Sequence, residues 1–195
     1  MRDARLLVWV LAEPTRAAQL SAAQLQAIAR IAVAEGLAAV LCARVSAADM
    51  PPDVQAVLET RTACPETPLP PICAAPDDIC RAISALLASD LGTFGLLRLW
   101  HIDASLRQGA AAPDFWAQLV AAARAQGVTA QVSRALRLCH HLFETPVDRY
   151  LAWQGQRSDV LYTGILLARN GQGKATAAWL RRAFRLRARW RRRRA

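Results

Sequence analysis

Apolar residues recur along this chain with the three-to-four-residue spacing of amphipathic helices and almost nowhere with the alternation of strands. The stretch Ser21-Ala-Ala-Gln24 has the form of a capping box, in which the serine hydroxyl accepts from a free backbone N–H of the first turn and the glutamine reaches back. A helix therefore starts there and continues through Leu25, Ile28, Ala32 and Glu35. Gly36 ends it, because glycine takes the left-handed conformation that a Cβ resists. A helix over residues 4–12 precedes it and a short one over 37–44 follows. Pro51-Pro52-Asp53 opens the next, since proline is tolerated in a first turn whose N–H groups have no partner; it runs to about Arg61 with Val54, Val57 and Leu58 inward. Asp77 and Asp78 bring negative charge to a helix N-terminus, where the dipole favours it, and Ile79, Ile83, Leu86 and Leu87 form the buried stripe. Asp114 caps a helix over 115–126 that Gly127 ends, residues 129–143 form another before Pro146, and a helix over 158–169 and a basic terminal one complete the pattern.

One position breaks the pattern. In RLWHIDASLRQG, at about 100° per residue, Leu96, Leu99, Trp100, Ile102 and Leu106 share a broad apolar face, with Arg98, His101, Ser105 and Gln108 opposite. Asp103 falls inside the apolar face, so the packing that buries Leu99 and Leu106 also buries a carboxylate. A buried acid needs partners. Arg107, four residues on, is near enough on the wheel to pair with it, and a backbone N–H of a neighbouring helix is expected at the other oxygen. Asp103 and Arg107 thus read as a buried structural polar pair, and no residue is assigned a catalytic role.

Alanine, leucine, arginine and glutamine dominate over β-branched and aromatic residues, which strengthens the helical reading. The expected fold is all-α: two helical lobes joined by a proline-rich linker, with a basic C-terminal helix. Five prolines between residues 62 and 76 forbid a regular element there. The lobes are then residues 1–61 and 77–173, the linker 62–76 and the tail 174–195. The 195 residues suffice for a core without staples. The five cysteines are odd in number and show no Cys-x-x-Cys spacing, which argues against a disulfide framework and a zinc site and for thiols in a reducing cytoplasm. The longest clean apolar run, residues 6–12, is far short of the roughly 18 needed to cross a bilayer. It also lacks the flanks of a signal peptide, with Asp3 before it and Glu13-Pro14 after.

Charge is distributed unevenly. Ten of the 25 basic residues lie from Lys174 onward with no acid among them, leaving fifteen basic against fifteen acidic residues before that point. Lys174, Arg181, Arg182, Arg185, Arg187, Arg189, Arg191, Arg192, Arg193 and Arg194, with Trp190, form the composition of an anionic-surface helix. Trp179, Ala183, Leu186 and Trp190 recur at helical spacing, and the arginines would meet phosphates of a nucleic acid or an anionic lipid. The competing reading is a solvated, fraying terminus.

Two further stretches raise and then lose a chemical reading. Asn170-Gly-Gln-Gly-Lys174-Ala-Thr has the Gly-Lys of a phosphate loop, but Ala168 stands at the first glycine position and Ala175 where magnesium needs a hydroxyl; a turn between helices is expected. Cys139-His140-His141 supplies three metal-ligand types, yet residues one and two apart do not share a helix face. Cys139 is expected in the core and at least one histidine in solvent. No metal and no cofactor is assigned.

Two blocks carry a resemblance. The first is SAAQLQAIARIAVAEGLAAVLCARV followed by MPPDVQAVLETR. The second runs from PDDICRAISALLASDLGTFGLLRLWHIDASLRQG through PDFWAQLVAAARAQGVTAQVSRALRLCHHLFETPV, with Leu-x-x-Trp-x-x-Asp-x-x-Leu-Arg, then Asp-Phe-Trp, then an Ala-Arg-x-x-Gly turn. Together, over residues 21–147, they resemble the helical flanks of the uncharacterised nucleotidyltransferase-like family found with peptide-maturation and surface-polysaccharide gene clusters. In that family the flanks border an α/β palm with a Gly-Ser turn and an Asp-x-Asp pair, which hold magnesium against phosphates. Neither motif occurs in this chain. The resemblance therefore implies a palm-less relative, a non-catalytic accessory protein with a protein partner. The alternatives are an enzyme using an unrecognised site or a partner subunit, with Asp103, Asp77 or Asp78 taking part, and a nucleic-acid or anionic-membrane binder acting through the tail.

Overall fold

A computed structural model describes residues 2–45, 50–62, 74–89, 91, 94–147 and 157–176. The fold is all-α. Helix α1 is Arg2–Ala12, followed by a 3-10 turn, Pro14–Gln19; α2 is Ala22–Ala34, α3 Ala38–Arg44 and α4 Pro52–Thr62. After the proline-rich stretch come α5 Pro76–Ala88, α6 Gly95–Gly109, α7 Phe115–Ala125, α8 Thr129–Phe143 and α9 Arg157–Leu166. Among the described residues the only strand-like pairing is an isolated bridge between Arg169 and Ala175. No described helix is long and apolar enough to cross a membrane. Linker residues 63–73 and tail residues 177–195 lie outside the described residues, so Arg181, Arg182, Arg185, Arg187, Arg189, Trp190 and Arg191 to Arg194 have no place in the account of the fold.

Local chemistry explains most boundaries. Ser21 accepts from the Gln24 backbone N–H at 3.3 Å while the Gln24 side chain accepts from the Ser21 N–H at 2.9 Å, completing the capping box. Gly36 and Gly127 both take left-handed φ, 72° and 67°, after α2 and α7. Asp114 stands at the N-cap of α7, but its side chain makes no capping bond, because its backbone is not extended as a capping residue requires. Helix α9 ends at Leu166 rather than at Arg169. Leu167 and Ala168 stay buried after the backbone has left the helix, so the apolar pattern outruns the element.

The buried side chains form one continuous cluster to which residues before and after the proline-rich stretch contribute. Helix α1 packs on both α2 and α8, α2 on α4, and α5 on α6, α7 and α8. Helix α6 is enclosed on more than its predicted face: Ser105, expected opposite the apolar side, is buried, and its hydroxyl donates to the His101 carbonyl at 3.0 Å. That bond satisfies the hydroxyl within its own helix, which lets it enter the interior.

Candidate functional site

Asp103 is 1% exposed on the inner face of α6. Its Oδ2 accepts from Arg107 Nε at 2.9 Å, one helical turn along, as the sequence spacing requires. Its Oδ1 accepts not from a backbone N–H but from the hydroxyl of Thr145, which is itself 1% exposed. Arg107 continues across the gap and donates through Nη2 to the Phe143 carbonyl at 2.6 Å. Phe143 is the last residue of α8, where carbonyls lack intrahelical partners and the dipole favours a cation, so a guanidinium suits both needs. Only the acid of the expected pair is fully buried; the Arg107 side chain is 41% exposed and bridges interior to surface. Burial pushes the Asp103 carboxyl above its ordinary 3.8, against the pull of Thr145 and Arg107.

Further contacts hold the C-terminal turn of α8. Glu144 takes left-handed φ, 56°, and its carboxylate receives both Nη atoms of Arg16 at 2.9 and 3.2 Å. Arg16 holds the Glu144 carboxyl below its ordinary value and lies over the Trp9 ring, 5.1 Å from its centre. The Thr145 carbonyl lies 2.9 Å from His140 Nδ1. A carbonyl only accepts, so Nδ1 carries a proton and donates.

Between this turn and α1 runs a groove of about 420 Å³, lined by Arg5, Leu6, Val8, Trp9, His141, Leu142, Glu144 and Leu167. Val8, Leu142 and Leu167 are buried in its floor, Leu6 and Trp9 are half-buried, and Arg5 and His141 stand exposed at the rim. The three members of Cys139-His140-His141 diverge. Cys139 is buried against the Leu99 carbonyl with its thiol pushed well above the ordinary value by desolvation, His140 bonds the Thr145 carbonyl, and His141 faces the groove. Among the described residues no three side chains come together as metal ligands.

Two ionic clusters went unseen in the sequence. Glu35, 2% exposed at the end of α2, accepts from Arg169 Nε at 2.5 Å, and Arg169 also donates to the Gly173 and Ala34 carbonyls at 2.9 and 3.1 Å. Glu35 already stood at an apolar register of its helix, the same signal that marks Asp103. On α9, Asp159 accepts from Arg134 Nε at 3.1 Å and from Arg137 Nε at 2.7 Å, tying that helix to α8. Tyr162 adds its ring beneath Arg134, 4.6 Å from the guanidinium.

The glycine-rich loop before Lys174 is closed on itself. Asn170 Oδ1 accepts from the N–H groups of Gln172 and Lys174 at 3.1 and 3.0 Å, and the Gly173 N–H bonds the Asn170 carbonyl at 2.8 Å. Those are the amides a phosphate loop would offer its ligand. Lys174 is exposed at the end of this loop, and Asp77 and Asp78 sit apart at the start of α5, engaged by Gln126 and Arg81. No family model matches the chain, and neither a curated protein nor a solved structure matches it.

Proposed function

We propose that the chain is a non-catalytic accessory protein whose helical body presents a protein-contact surface on α9. The observation that carries this is the setting of Val160 and Leu161. They are 74% and 44% exposed, while Tyr162, Ile165 and Leu166 of the same helix are buried and Asp159 is anchored by two arginines. A Cβ on Gly164, one turn beyond, would also meet open space. A rigidly held helix with outward apolar side chains suits contact with another protein. The carboxylates that burial would otherwise qualify for chemistry, Asp103 and Glu35, are taken up by guanidinium, hydroxyl and backbone contacts that join helices. This supports an accessory role over an enzyme using Asp103, Asp77 or Asp78. A relationship to the nucleotidyltransferase-like family belongs to the same proposal and rests on the two sequence blocks.

The test is affinity capture with wild type and with Val160→Asp/Leu161→Asp, both positions being exposed enough to leave the fold intact. A partner retained by wild type and lost by the variant is the expected result; partners captured equally by both would contradict it.

A second reading has its own observation, the ten basic and no acidic residues from Lys174 onward. That segment would bind nucleic acid or anionic lipid by charge alone. Binding to duplex DNA should then fall steeply with salt and vanish on truncation after Gly173; binding that survives truncation contradicts it.

A further inference from the structure

We propose that the groove between α1 and the C-terminal turn of α8 binds a small apolar carboxylate, its hydrocarbon part on Leu6, Trp9, Leu142 and Leu167 and its acid on Arg5. The inference uses different side chains from the α9 surface and holds or fails independently of it. A volume of about 420 Å³ lies within the range of small-molecule clefts, roughly 300–1,000 Å³. The floor is apolar, so the bulk of any ligand seated there is apolar too.

Charge selects the head group. Among the described residues four ionisable side chains face the groove or brace its rim: Arg5, His141, Glu144 and Arg16. Glu144 and Arg16 neutralise one another through a two-point ion pair. Asp3, the acid nearest Arg5 in sequence, lies against Gly171, where a Cβ would come within 2.8 Å of its Oδ2. Arg5 makes no ion pair or side-chain hydrogen bond among the described residues. One uncompensated guanidinium over an apolar floor matches one carboxylate, which it receives through two parallel N–H donors. A phosphate monoester, with nearly two charges, would need a second guanidinium or ammonium beside Arg5, and among the described residues the other rim guanidinium, Arg16, is already taken by Glu144.

The experiment is calorimetric titration of the full chain with decanoate, kept below its micelle concentration, and with decan-1-ol as the uncharged match. Arg5→Gln and His141→Trp are titrated alongside, both at exposed positions, with helicity confirmed by circular dichroism. We expect one saturable decanoate site, at least tenfold weaker binding of the alcohol, and a loss of about tenfold for decanoate in Arg5→Gln with the alcohol unchanged. His141→Trp, which places a large side chain at the mouth, should weaken both ligands. Absence of saturable decanoate binding overturns the proposal. So does equal binding of acid and alcohol, or binding that neither substitution alters.

Discussion

A carboxylate taken out of water loses hydration that only fixed donors replace, and at Asp103 those donors are Arg107 on its own helix and Thr145 beyond the end of α8. Asp103→Ala removes the acceptor for the buried Thr145 hydroxyl and should lower stability by about 2 kcal/mol in urea unfolding. Asp103→Asn keeps an acceptor for Arg107 and can donate to Thr145, so its cost should be less than half as large. The pH dependence has a definite sign. Because the folded-state pKa lies above the ordinary 3.8, the folded protein takes up this proton first on acidification. The contribution of Asp103 therefore grows as pH falls from the raised value toward 3.8 and is reduced as pH rises through that window. Asn does not titrate, so the stability difference should move toward wild type on acidification; a difference that moves the other way would contradict the assignment. The acid and Arg107 were legible from the helical wheel, because their contact is local. Thr145 was not, since it lies 42 residues away and only tertiary packing brings it there. Glu35 and Arg169, 134 residues apart, were hidden for the same reason.

Elements declare themselves in sequence where their ends have local causes. The capping box at Ser21, the prolines opening α4, the acids in the first turn of α5, and the left-handed glycines after α2 and α7 all act within a turn of themselves, and those boundaries fall close to expectation. Helix α8 matches its expected span, residues 129–143. Helix α9 stops short of the apolar pattern, which Leu167 and Ala168 prolong by being buried without helical backbone, and Ser105 is buried where α6 packs against both α5 and α8. The joint between α6 and α7 shows what local reading misses. A Cβ on Gly109 would lie inside the ring of Phe115, with its Cδ2 and Cζ at 2.6 Å. Gly109→Ala improves helix propensity by up to about 1 kcal/mol yet displaces a buried ring, a cost of about 1–3 kcal/mol. The net expected result is destabilisation of about 1 kcal/mol in urea. A stabilised variant would mean that Phe115 does not pack there.

At the scale of the whole molecule, one apolar core unites helices on either side of the proline-rich stretch, and three ionic clusters tie α6 to α8, α2 to residues 169–173, and α8 to α9. The all-α class was legible because composition and periodicity agree over most of the chain. The groove was not, since its walls come from α1, α8 and Leu167, which no sequence pattern brings together. The central claim is the proposal that the buried acids of this body serve structure, in a non-catalytic accessory protein. Its most direct test is calorimetric titration of the full chain, and of a chain truncated after Gly173, with each of the four ribonucleoside triphosphates, with and without magnesium. The account predicts no magnesium-dependent binding, and that any weak association is lost with the tail. Magnesium-dependent binding that survives truncation would contradict it and place a nucleotide site within the helical body.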